Sequence, residues 1–420
     1  MDNNQDQVRA QNLRAGLLLL PSTLAAAMTV LVATLAYVLA QPPNRTTSDA
    51  GSSTTDLAIL HSKADIAVLV TTALLATLLI RKTRRDQVEG GPPPSILRSS
   101  ASGSLPPLRD KVVVVTGANA GIGKETCHAL ASAGATVVMA CRSRARAEQA
   151  RRDILSRGSC NSSIITESQL PIIELDLCSL RSVRTAAAQV RREYPRIDIL
   201  INNAGLMMGT QQFTDEDGLD VVMQANHVGH YLWTRSLLPN LVSRRDGVVL
   251  NVTSSTYTYA SHMDVTDLCC TRGRRYSLFG QYAQSKLANI LFTTELARRG
   301  YRHAYAIHPG LVRTDVTRHM PWYLRVPNVV CAAAVAALQK TPAQGAWCTV
   351  HVATLPDSDG DDGGDRVASG TYWVNREPQA TWPCARDTAA ALELWNETAR
   401  LVDLPVEDEY SKRMDTDDID

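Results

Sequence analysis

The sequence has almost no net charge. Its 43 lysines and arginines nearly balance its 42 aspartates and glutamates, which leaves a formal net charge of +1. A protein that binds the backbone of a nucleic acid usually carries a clustered excess of positive charge. The balance therefore argues against nucleic acid as a partner.

The nine cysteines include no Cys-x-x-Cys pair, and their number is odd. Structural zinc sites and small disulfide-rich domains rely on closely spaced or evenly paired cysteines. We therefore expect neither a metal site nor a disulfide framework. Isolated cysteines are typical of a reducing compartment, where buried thiols behave as small apolar side chains.

An acidic run at residues 357–365 lacks two features of a calcium-binding loop. Asp362 takes the place of the glycine at which such a loop turns sharply, and no glutamate closes the loop. We therefore interpret the run as a solvated hairpin insertion. The acidic tail at residues 406–420 is predicted to be disordered.

Two apolar runs stand out near the start of the chain. Residues 15–41 contain no charged side chain, and the run exceeds the roughly 20 apolar residues that span a bilayer. We interpret it as a transmembrane helix. The alternatives are a cleaved signal peptide, with Val38-Leu39-Ala40 as its processing site, and a buried core helix.

The second run, residues 66–80, covers only about 22 Å of a hydrocarbon core that is about 30 Å thick. Extending the run back to Leu57 takes in charged residues near one end, where Lys63 can reach the lipid headgroups. This run is predicted to cross the membrane in the extended form. A re-entrant or interfacial helix is the alternative.

Positive charge lies on the outer side of both runs. Arg9 and Arg14 precede the first run, and four basic residues between 81 and 85 follow the second. Because positively charged flanks remain in the cytosol, we predict a membrane hairpin whose amino terminus and following domain are cytosolic. We expect the membrane to be that of the endoplasmic reticulum, with the loop that contains Asn44 on the lumenal side.

The rest of the chain divides into a linker, one large domain and the tail. Residues 86–106 have the proline, glycine and serine content of a flexible linker. Within residues 107–405, six short β-branched runs alternate with helical patterns. This alternation predicts an α/β fold, a Rossmann-type doubly wound parallel sheet, behind an amino-terminal membrane anchor at residues 1–85.

A glycine-rich turn follows the first predicted strand. Glycines let the backbone turn tightly and approach a pyrophosphate, which then lies at the positive end of the next helix. A glycine pattern alone is weak evidence, but here a strand precedes it and a helix follows. The candidate cofactor-binding residues of this turn are Gly117, Asn119, Gly121, Ile122 and Gly123.

Tyr282 and Lys286 are four residues apart in a segment with helical periodicity, so they lie on one helix face. An ammonium beside a phenol stabilises the phenolate. The spacing therefore predicts a lowered pKa for Tyr282, which would suit it to general acid–base catalysis. The pair is weak evidence by itself and strong evidence beside the glycine turn.

The turn and the pair together resemble the short-chain dehydrogenase family, whose glycine motif has the same Thr-Gly-x-x-x-Gly-Ile-Gly spacing. The resemblance extends over residues 111–377. It implies a nicotinamide dinucleotide whose adenine lies beside Asp176 and whose ribose lies above an Asn-Asn-Ala-Gly motif. The other cofactor-binding residues that it implies are Leu177, Asn202, Ala204, Tyr282, Lys286, Pro309 and Thr314.

The second predicted strand ends at Arg142, where an NAD enzyme usually has an acidic residue for the ribose 2′-hydroxyl. An arginine can form bidentate, charge-assisted hydrogen bonds with a 2′-phosphate, which an aspartate would repel. We therefore expect NADP(H) as cofactor, with Arg144 and Lys124 assisting. The alternative is that Arg142 merely solvates a surface loop.

The resemblance assigns two further catalytic residues. Ser254 matches the serine that hydrogen-bonds the substrate oxygen, and Ser255 is its rival. Asn226 matches the residue that holds a water in a proton path beyond the lysine. The neighbouring His227 and His230 are interpreted as structural. The predicted catalytic set is Asn226, Ser254, Tyr282 and Lys286.

Within the family, several motifs resemble the retinol dehydrogenase branch and its X-linked dehydrogenase/reductase relative, among them Asn-Asn-Ala-Gly-Leu-Met-Met and His-Pro-Gly-Leu-Val-Arg-Thr. This resemblance implies a hydrophobic substrate such as a retinoid, a sterol or a long isoprenoid alcohol. The apolar segment 320–338 would then be a mobile lid that admits a lipid, with a core-packed helix pair as the alternative.

Two other functions are alternatives. A catalytically idle member of the family could serve as a membrane-tethered binding module, although the catalytic set is intact. The other is a biosynthetic reductase of a macrocycle or a fatty-acyl thioester, although a thioester enzyme would more often lack a membrane run. The expected partners are a hydrophobic small molecule and the lipid bilayer, and a homodimer is compatible with this reading.

Overall fold

The computed structural model describes residues 108–158, 164–242, 247–272, 274–313, 339–355 and 367–406. Both apolar runs, the linker, the acidic run, Thr314 with the segment 320–338, and most of the tail lie outside the described residues. Predictions about those segments remain predictions. Among the helices that are described, none is long and apolar enough to span a membrane.

Eight strands form a single sheet in the described part of the chain. They are β1 Val112–Thr116, β2 Thr136–Cys141, β3 Ile172–Glu174, β4 Ile199–Asn202, β5 Val248–Val252, β6 His303–His308, β7 Tyr372–Val374 and β8 Glu377–Gln379. Their order across the sheet is β3-β2-β1-β4-β5-β6-β7-β8. The first seven are parallel, and only β8 is antiparallel to its neighbour.

Helices connect the parallel strands. They are α1 Gly121–Ser132, α2 Arg144–Arg157, α3 Leu180–Glu193, α4 Gly229–Val242, α5 Leu278–Arg298, α6 Pro342–Ala353 and α7 Thr388–Leu401. A helical turn and a π-helix run into α4 without a break; their bounds are Val221–Met223 and Gln224–Val228. The predicted Rossmann-type doubly wound sheet is therefore confirmed.

The helices cover both faces of the sheet, and the core consists of two apolar layers. Side chains of a strand alternate between faces, as β1 shows. Val113 and Val115 pack with α1, α2 and α6, whereas Val114 packs with α3, α4, α5 and α7. All three valines are fully buried. A sheet covered on both faces is expected to have such continuous apolar strands.

The order in which strands are added to the sheet reverses at β1, which lies between β2 and β4. Since β2 and β3 extend to one side of β1 and β4 to β7 to the other, the connections on the two sides diverge and leave a crevice at the carboxyl ends of the strands. Ligands of open α/β sheets bind at such a switch point. The predicted site residues follow the carboxyl ends of β1 to β6 or lie on the helices packed there.

Candidate active site

The turn between β1 and α1 has a shape that requires glycine. Gly117 and Gly121 have positive φ angles of 66° and 53°, in the left-handed region. A Cβ on Gly117 would lie 3.0 Å from both carbon atoms Cα and Cβ of Ala204. A Cβ on Gly123 would lie 2.5 Å from Asn203 Nδ2 and would also meet the carbonyl of Gly117. The predicted glycines therefore hold the turn tightly against the Asn-Asn-Ala-Gly segment.

The amino terminus of α1 offers uncapped backbone donors. Its N-cap residue is Ala120, which provides no side-chain hydrogen bond, and the first turn contains no acidic residue. Side chains do cap five other helices: Ser143 on α2, Ser179 on α3, Ser277 on α5, Thr341 on α6 and Asp387 on α7. Free N–H groups at the positive end of a helix suit an anionic group. The turn therefore fits the pyrophosphate of a dinucleotide.

The Asn-Asn-Ala-Gly segment is fastened to the glycine turn by Thr116 and Asn203. The backbone N–H groups of Asn203 and Ala204 donate to Thr116 Oγ1 over 2.9 and 3.0 Å, and Asn203 Nδ2 donates to the Thr116 carbonyl over 2.9 Å. The side chain of Asn202 points into the interior and donates to Thr234 Oγ1 and Asn251 Oδ1. Thr116 and Asn203 were not among the predicted site residues, although each lies within one of the two motifs.

Arg142 lies exposed at the end of β2. Its guanidinium forms no ion pair within the described ranges, whereas the two basic residues expected to assist it are engaged elsewhere. Arg144 pairs with Glu148, and Lys124 pairs with Asp153 over 2.6 Å. Arg142 is therefore the one of these three cations that is available at the end of the strand.

Asp176 and Leu177 follow β3 near this arginine. Asp176 Oδ1 accepts the N–H of Cys178 over 2.9 Å, which fixes a tight turn, while Leu177 is buried. Burial raises the pKa of Cys178 to about 12, and the charge of Arg142 opposes that rise. Asp176 and Arg142 thus both lie near the Cys178 thiol and shift its pKa in opposite directions.

Tyr282, Lys286 and Ser254 come together at the carboxyl ends of β5 and β4. Tyr282 and Lys286 are 9% and 3% exposed, and the Lys286 ammonium lies 5.5 Å from the centre of the Tyr282 ring. The side chain of Ser254 lies close enough to the Tyr282 hydroxyl to lower its pKa. Lys286 Nζ also donates to the carbonyl of Val252 over 3.1 Å. The structure thus brings three of the four predicted catalytic residues into contact.

The pKa of Tyr282 differs in direction from the sequence-based expectation. Burial raises it to about 12, and only the hydrogen bond with Ser254 opposes the rise. Lys286 does not counter this rise, because burial lowers the pKa of its own ammonium to about 8, so the lysine has already lost its proton at the pH where the phenol titrates. Tyr282 is therefore protonated at neutral pH, which is the form that can donate a proton.

Asn226, in the π-helix, is hydrogen-bonded both to the segment after β4 and to α5. Its Oδ1 accepts the N–H of Leu206 over 2.8 Å, and its Nδ2 donates to the Leu206 carbonyl and to Ser285 Oγ. Gly205 lies beside it: a Cβ there would be 3.3 Å from Lys286 Nζ and 3.4 Å from Asn226 Oδ1. π-Helical turns often occur at functional sites because they re-aim one side chain.

Three consecutive hydroxyl residues follow β5, and each has different surroundings. Thr253 is buried and donates to the backbone carbonyl of Lys286 over 2.8 Å, so it anchors α5. Ser254 is half-buried and turned toward Tyr282. Ser255 is exposed, and its N–H donates to His308 Nδ1. The geometry favours Ser254 over Ser255 as the substrate-facing serine.

The segment after β6 is supported by a lysine that the sequence did not single out. Pro309 is buried, and Gly310 has a φ of 90°. Lys340 packs against Gly310, and its Nζ donates to Asn375 Oδ1 over 2.6 Å. Lys340 is 6% exposed, and burial lowers its pKa. It forms part of the wall behind the segment that leads to Thr314.

The comparisons with known proteins agree with this geometry. A family model described as short chain dehydrogenase matches residues 111–321. The chain is 36% identical to human retinol dehydrogenase 14 over 320 residues, which cover 74% of this chain and 92% of that protein. It is also 36% identical to human retinol dehydrogenase 13 over 343 residues, which cover 81% of this chain and 94% of that protein.

Among solved structures, an uncharacterised protein from Mycobacterium paratuberculosis superimposes with a TM-score of 0.54 at 30% identity, covering 74% of this chain and all of that one. The resemblance to the retinol dehydrogenase branch is thus confirmed. Members of the family use NAD(H) or NADP(H), which fits the glycine turn and the uncapped helix behind it. The chain belongs to the short-chain dehydrogenase family of oxidoreductases.

Proposed function

We propose that the protein is an NADP(H)-dependent oxidoreductase that interconverts an alcohol and a carbonyl group on a hydrophobic substrate. The observation that carries the proposal is the buried Tyr282, whose ring lies beneath the Lys286 ammonium and whose hydroxyl lies close enough to Ser254 for that side chain to lower its pKa. Lys286 is linked to the glycine turn through two neighbours, because Gly205 borders its ammonium and Ala204 borders Gly117. The proton-transfer group and the cofactor turn therefore adjoin two neighbouring residues of one segment.

Each residue of the site has a part in the reaction. The cofactor supplies or accepts the hydride when it is bound. Tyr282 holds its proton at neutral pH and gives it to the carbonyl oxygen during reduction, or accepts it during oxidation. Ser254 positions that oxygen beside the phenol. The Lys286 ammonium, held by Val252, stabilises the negative charge that develops on Tyr282.

The surroundings of Tyr282 support an apolar substrate. Its ring packs with Met207 and Leu278 in a small apolar cluster. Phe279 and Tyr259 are 44% and 61% exposed, and their ring centres are 6.2 Å apart. Phe279 is three residues before Tyr282 in α5 and thus on the same side of the helix. Similar proteins are named for retinol, which belongs to the same chemical class.

Turnover by the purified, detergent-solubilised full-length protein tests the proposal. NADPH oxidation is measured with retinoid, steroid and polyprenyl aldehydes or ketones, and NADP⁺ reduction with the corresponding alcohols. We expect turnover with at least one apolar class and none with short polar sugars. Cofactor binding without turnover on any member of the panel would instead favour a catalytically idle binding module.

Arg142 is proposed to select NADP(H). A charge-assisted contact between its guanidinium and the 2′-phosphate should contribute on the order of 1.5–3 kcal/mol, or roughly tenfold to a hundredfold in affinity. Arg142→Asp should therefore reverse the preference between the cofactors, as measured by their dissociation constants. Arg144→Asp, at a residue already paired with Glu148, is the matched control and should change the preference little. Equal affinity of the unmutated protein for both cofactors would refute the role of Arg142.

We also propose that both apolar runs cross the membrane of the endoplasmic reticulum as a hairpin, with the catalytic domain in the cytosol. The proposal rests on the positive charge that flanks residues 15–41 and 66–80 on their outer sides. Protease treatment of sealed microsomes tests it, with one tag before Arg9 and one after Asp420. Digestion of both tags without detergent is expected. Protection of one tag would show that a single run spans the bilayer.

A further inference from the structure

His230 links the π-helix that carries Asn226 to the strand end before the glycine turn. It lies in the first turn of α4 and is 2% exposed. Its Nε2 is 2.8 Å from Thr116 Oγ1, and its Nδ1 is 3.1 Å from the backbone carbonyl oxygen of Asn226. One imidazole therefore touches both the strand end that starts the glycine turn and the π-helix that carries Asn226.

The partners determine which nitrogen of His230 carries the proton. The carbonyl oxygen of Asn226 can only accept, so Nδ1 must be the donor. In the neutral ring Nε2 is then an acceptor, which receives the hydroxyl proton of Thr116. Thr116 Oγ1 keeps its lone pairs for the N–H groups of Asn203 and Ala204, and both of these bonds are formed.

A charged imidazolium would not fit this arrangement. Its second N–H would point at Thr116 Oγ1, which already accepts two N–H groups. Burial lowers the pKa of His230 to about 3; the hydrogen bond with the Asn226 carbonyl opposes this shift, and Lys286 and His227 add to it. The ring is therefore neutral over the working pH range, with the tautomer fixed by Asn226.

We propose that His230 is a positioning residue of the cofactor site: its imidazole orients the Thr116 hydroxyl, which holds the Asn203–Ala204 backbone against Gly117. This inference rests on the proposed function, since it concerns the site where the dinucleotide would bind. His230 does not touch the reacting atoms. Its loss should therefore weaken cofactor binding much more than it slows the chemical step.

Binding of NADPH to the full-length, detergent-solubilised protein, followed by nicotinamide fluorescence, provides the test. His230→Phe keeps the ring shape but leaves the Thr116 hydroxyl and the Asn226 carbonyl without their partner. Unsatisfied buried groups of this kind correspond to about a 5- to 30-fold increase in the dissociation constant of NADPH. The KM for NADPH should increase similarly, while kcat at saturating cofactor stays within a few-fold of the unmutated value.

Two conservative variants distinguish the contact of His230 with Thr116 from its contact with Asn226. In His230→Gln the amide oxygen can replace Nε2 as acceptor for Thr116, so cofactor affinity should largely return. In His230→Asn the amide nitrogen can replace Nδ1 and retain only the contact with Asn226, so affinity should remain low. Thr116→Val combined with His230→Phe should bind no more weakly than Thr116→Val alone, since both act through one hydroxyl.

His227 is the matched control. It is 1% exposed and three residues away in the same continuous helix, but its Nε2 bonds to Thr398 on α7. His227→Phe should lower the thermal stability and leave the dissociation constant of NADPH within about twofold. A folded His230→Phe or His230→Asn protein that binds NADPH as tightly as the unmutated protein would overturn the inference. Failure of the unmutated protein to bind either dinucleotide would overturn the proposed function itself.

Discussion

Tyr282→Phe should abolish turnover and leave cofactor binding nearly intact. The substitution removes one hydroxyl from a side chain that is 9% exposed, and it keeps the ring that packs against Met207 and Leu278. A positioned proton donor typically contributes about 10²- to 10⁴-fold to the rate. We expect a loss of that size in kcat and a dissociation constant of NADPH within about twofold of the unmutated value, measured by steady-state kinetics and fluorescence.

The matched control is Tyr257→Phe. Tyr257 is 2% exposed and follows Ser254 by three residues, and its hydroxyl accepts the N–H of Trp382 rather than facing the site. Its replacement should lower stability by about 0.5–1.5 kcal/mol through the lost hydrogen bond and leave kcat almost unchanged. Activity of Tyr282→Phe within a few-fold of the unmutated protein would show that another group transfers the proton.

The parallel sheet could be predicted because each inner strand carries its own signal. All six predicted strands are present as β1 to β6, because most of their residues are apolar and buried between the layers that cover the sheet, although β3 lies at the edge and ends at the exposed Glu174. The last two strands escaped prediction. β7 has three residues, and β8 is exposed along its length and contains Pro378. They pair through a turn in which Asn375 and Arg376 have positive φ angles of 52° and 71°.

The catalytic residues could be located from motif spacing, but the direction of the pKa shift of Tyr282 could not be predicted. The four-residue spacing placed Tyr282 and Lys286 on one helix face. The depth of their burial depends on α5 packing against the sheet and α7, which no local pattern specifies. That burial, and not the charge of Lys286, determines the direction of the pKa shift of Tyr282.

The supporting residues were missed for a related reason. His230 and Lys340 act through partners that are distant in sequence, 114 and 35 residues away respectively. An isolated buried histidine usually has a structural role, so the sequence predicts a structural role for both His227 and His230. Only the folded chain distinguishes them, because one contacts Thr398 on α7 and the other Thr116 beside the glycine turn.

Lys286→Met should weaken catalysis and cofactor binding together. Methionine approximates the length of the lysine side chain, so the change removes mainly the charge. An adjacent opposite charge typically shifts a pKa by about 1–3 units, so loss of the ammonium should reduce turnover by roughly 10- to 1000-fold as the negative charge on Tyr282 loses its partner. Lys111→Met is the control, since Lys111 pairs with Asp198 at the start of β1 and should leave kcat unchanged.

Lys286→Met should also stabilise the fold. A charge that serves the reaction can destabilise the fold, whereas a structural charge would stabilise it. Burial lowers the pKa of Lys286 from 10.5 to about 8, so the folded protein binds fewer protons than the unfolded chain between these values. The free energy of unfolding is therefore highest above about pH 10.5, where Lys286 is neutral in both states, and it decreases as the pH falls toward 8. Lys286→Met should raise the free energy of unfolding at pH 7 by on the order of 1–3 kcal/mol and remove that pH dependence. The Val252 carbonyl keeps a second donor in Asn289 Nδ2, so the substitution leaves it partnered. The free energy of unfolding is measured with denaturant at pH 7 and 10. A value for Lys286→Met at pH 7 that is equal to or lower than that of the unmutated protein would mean that the buried ammonium stabilises the fold.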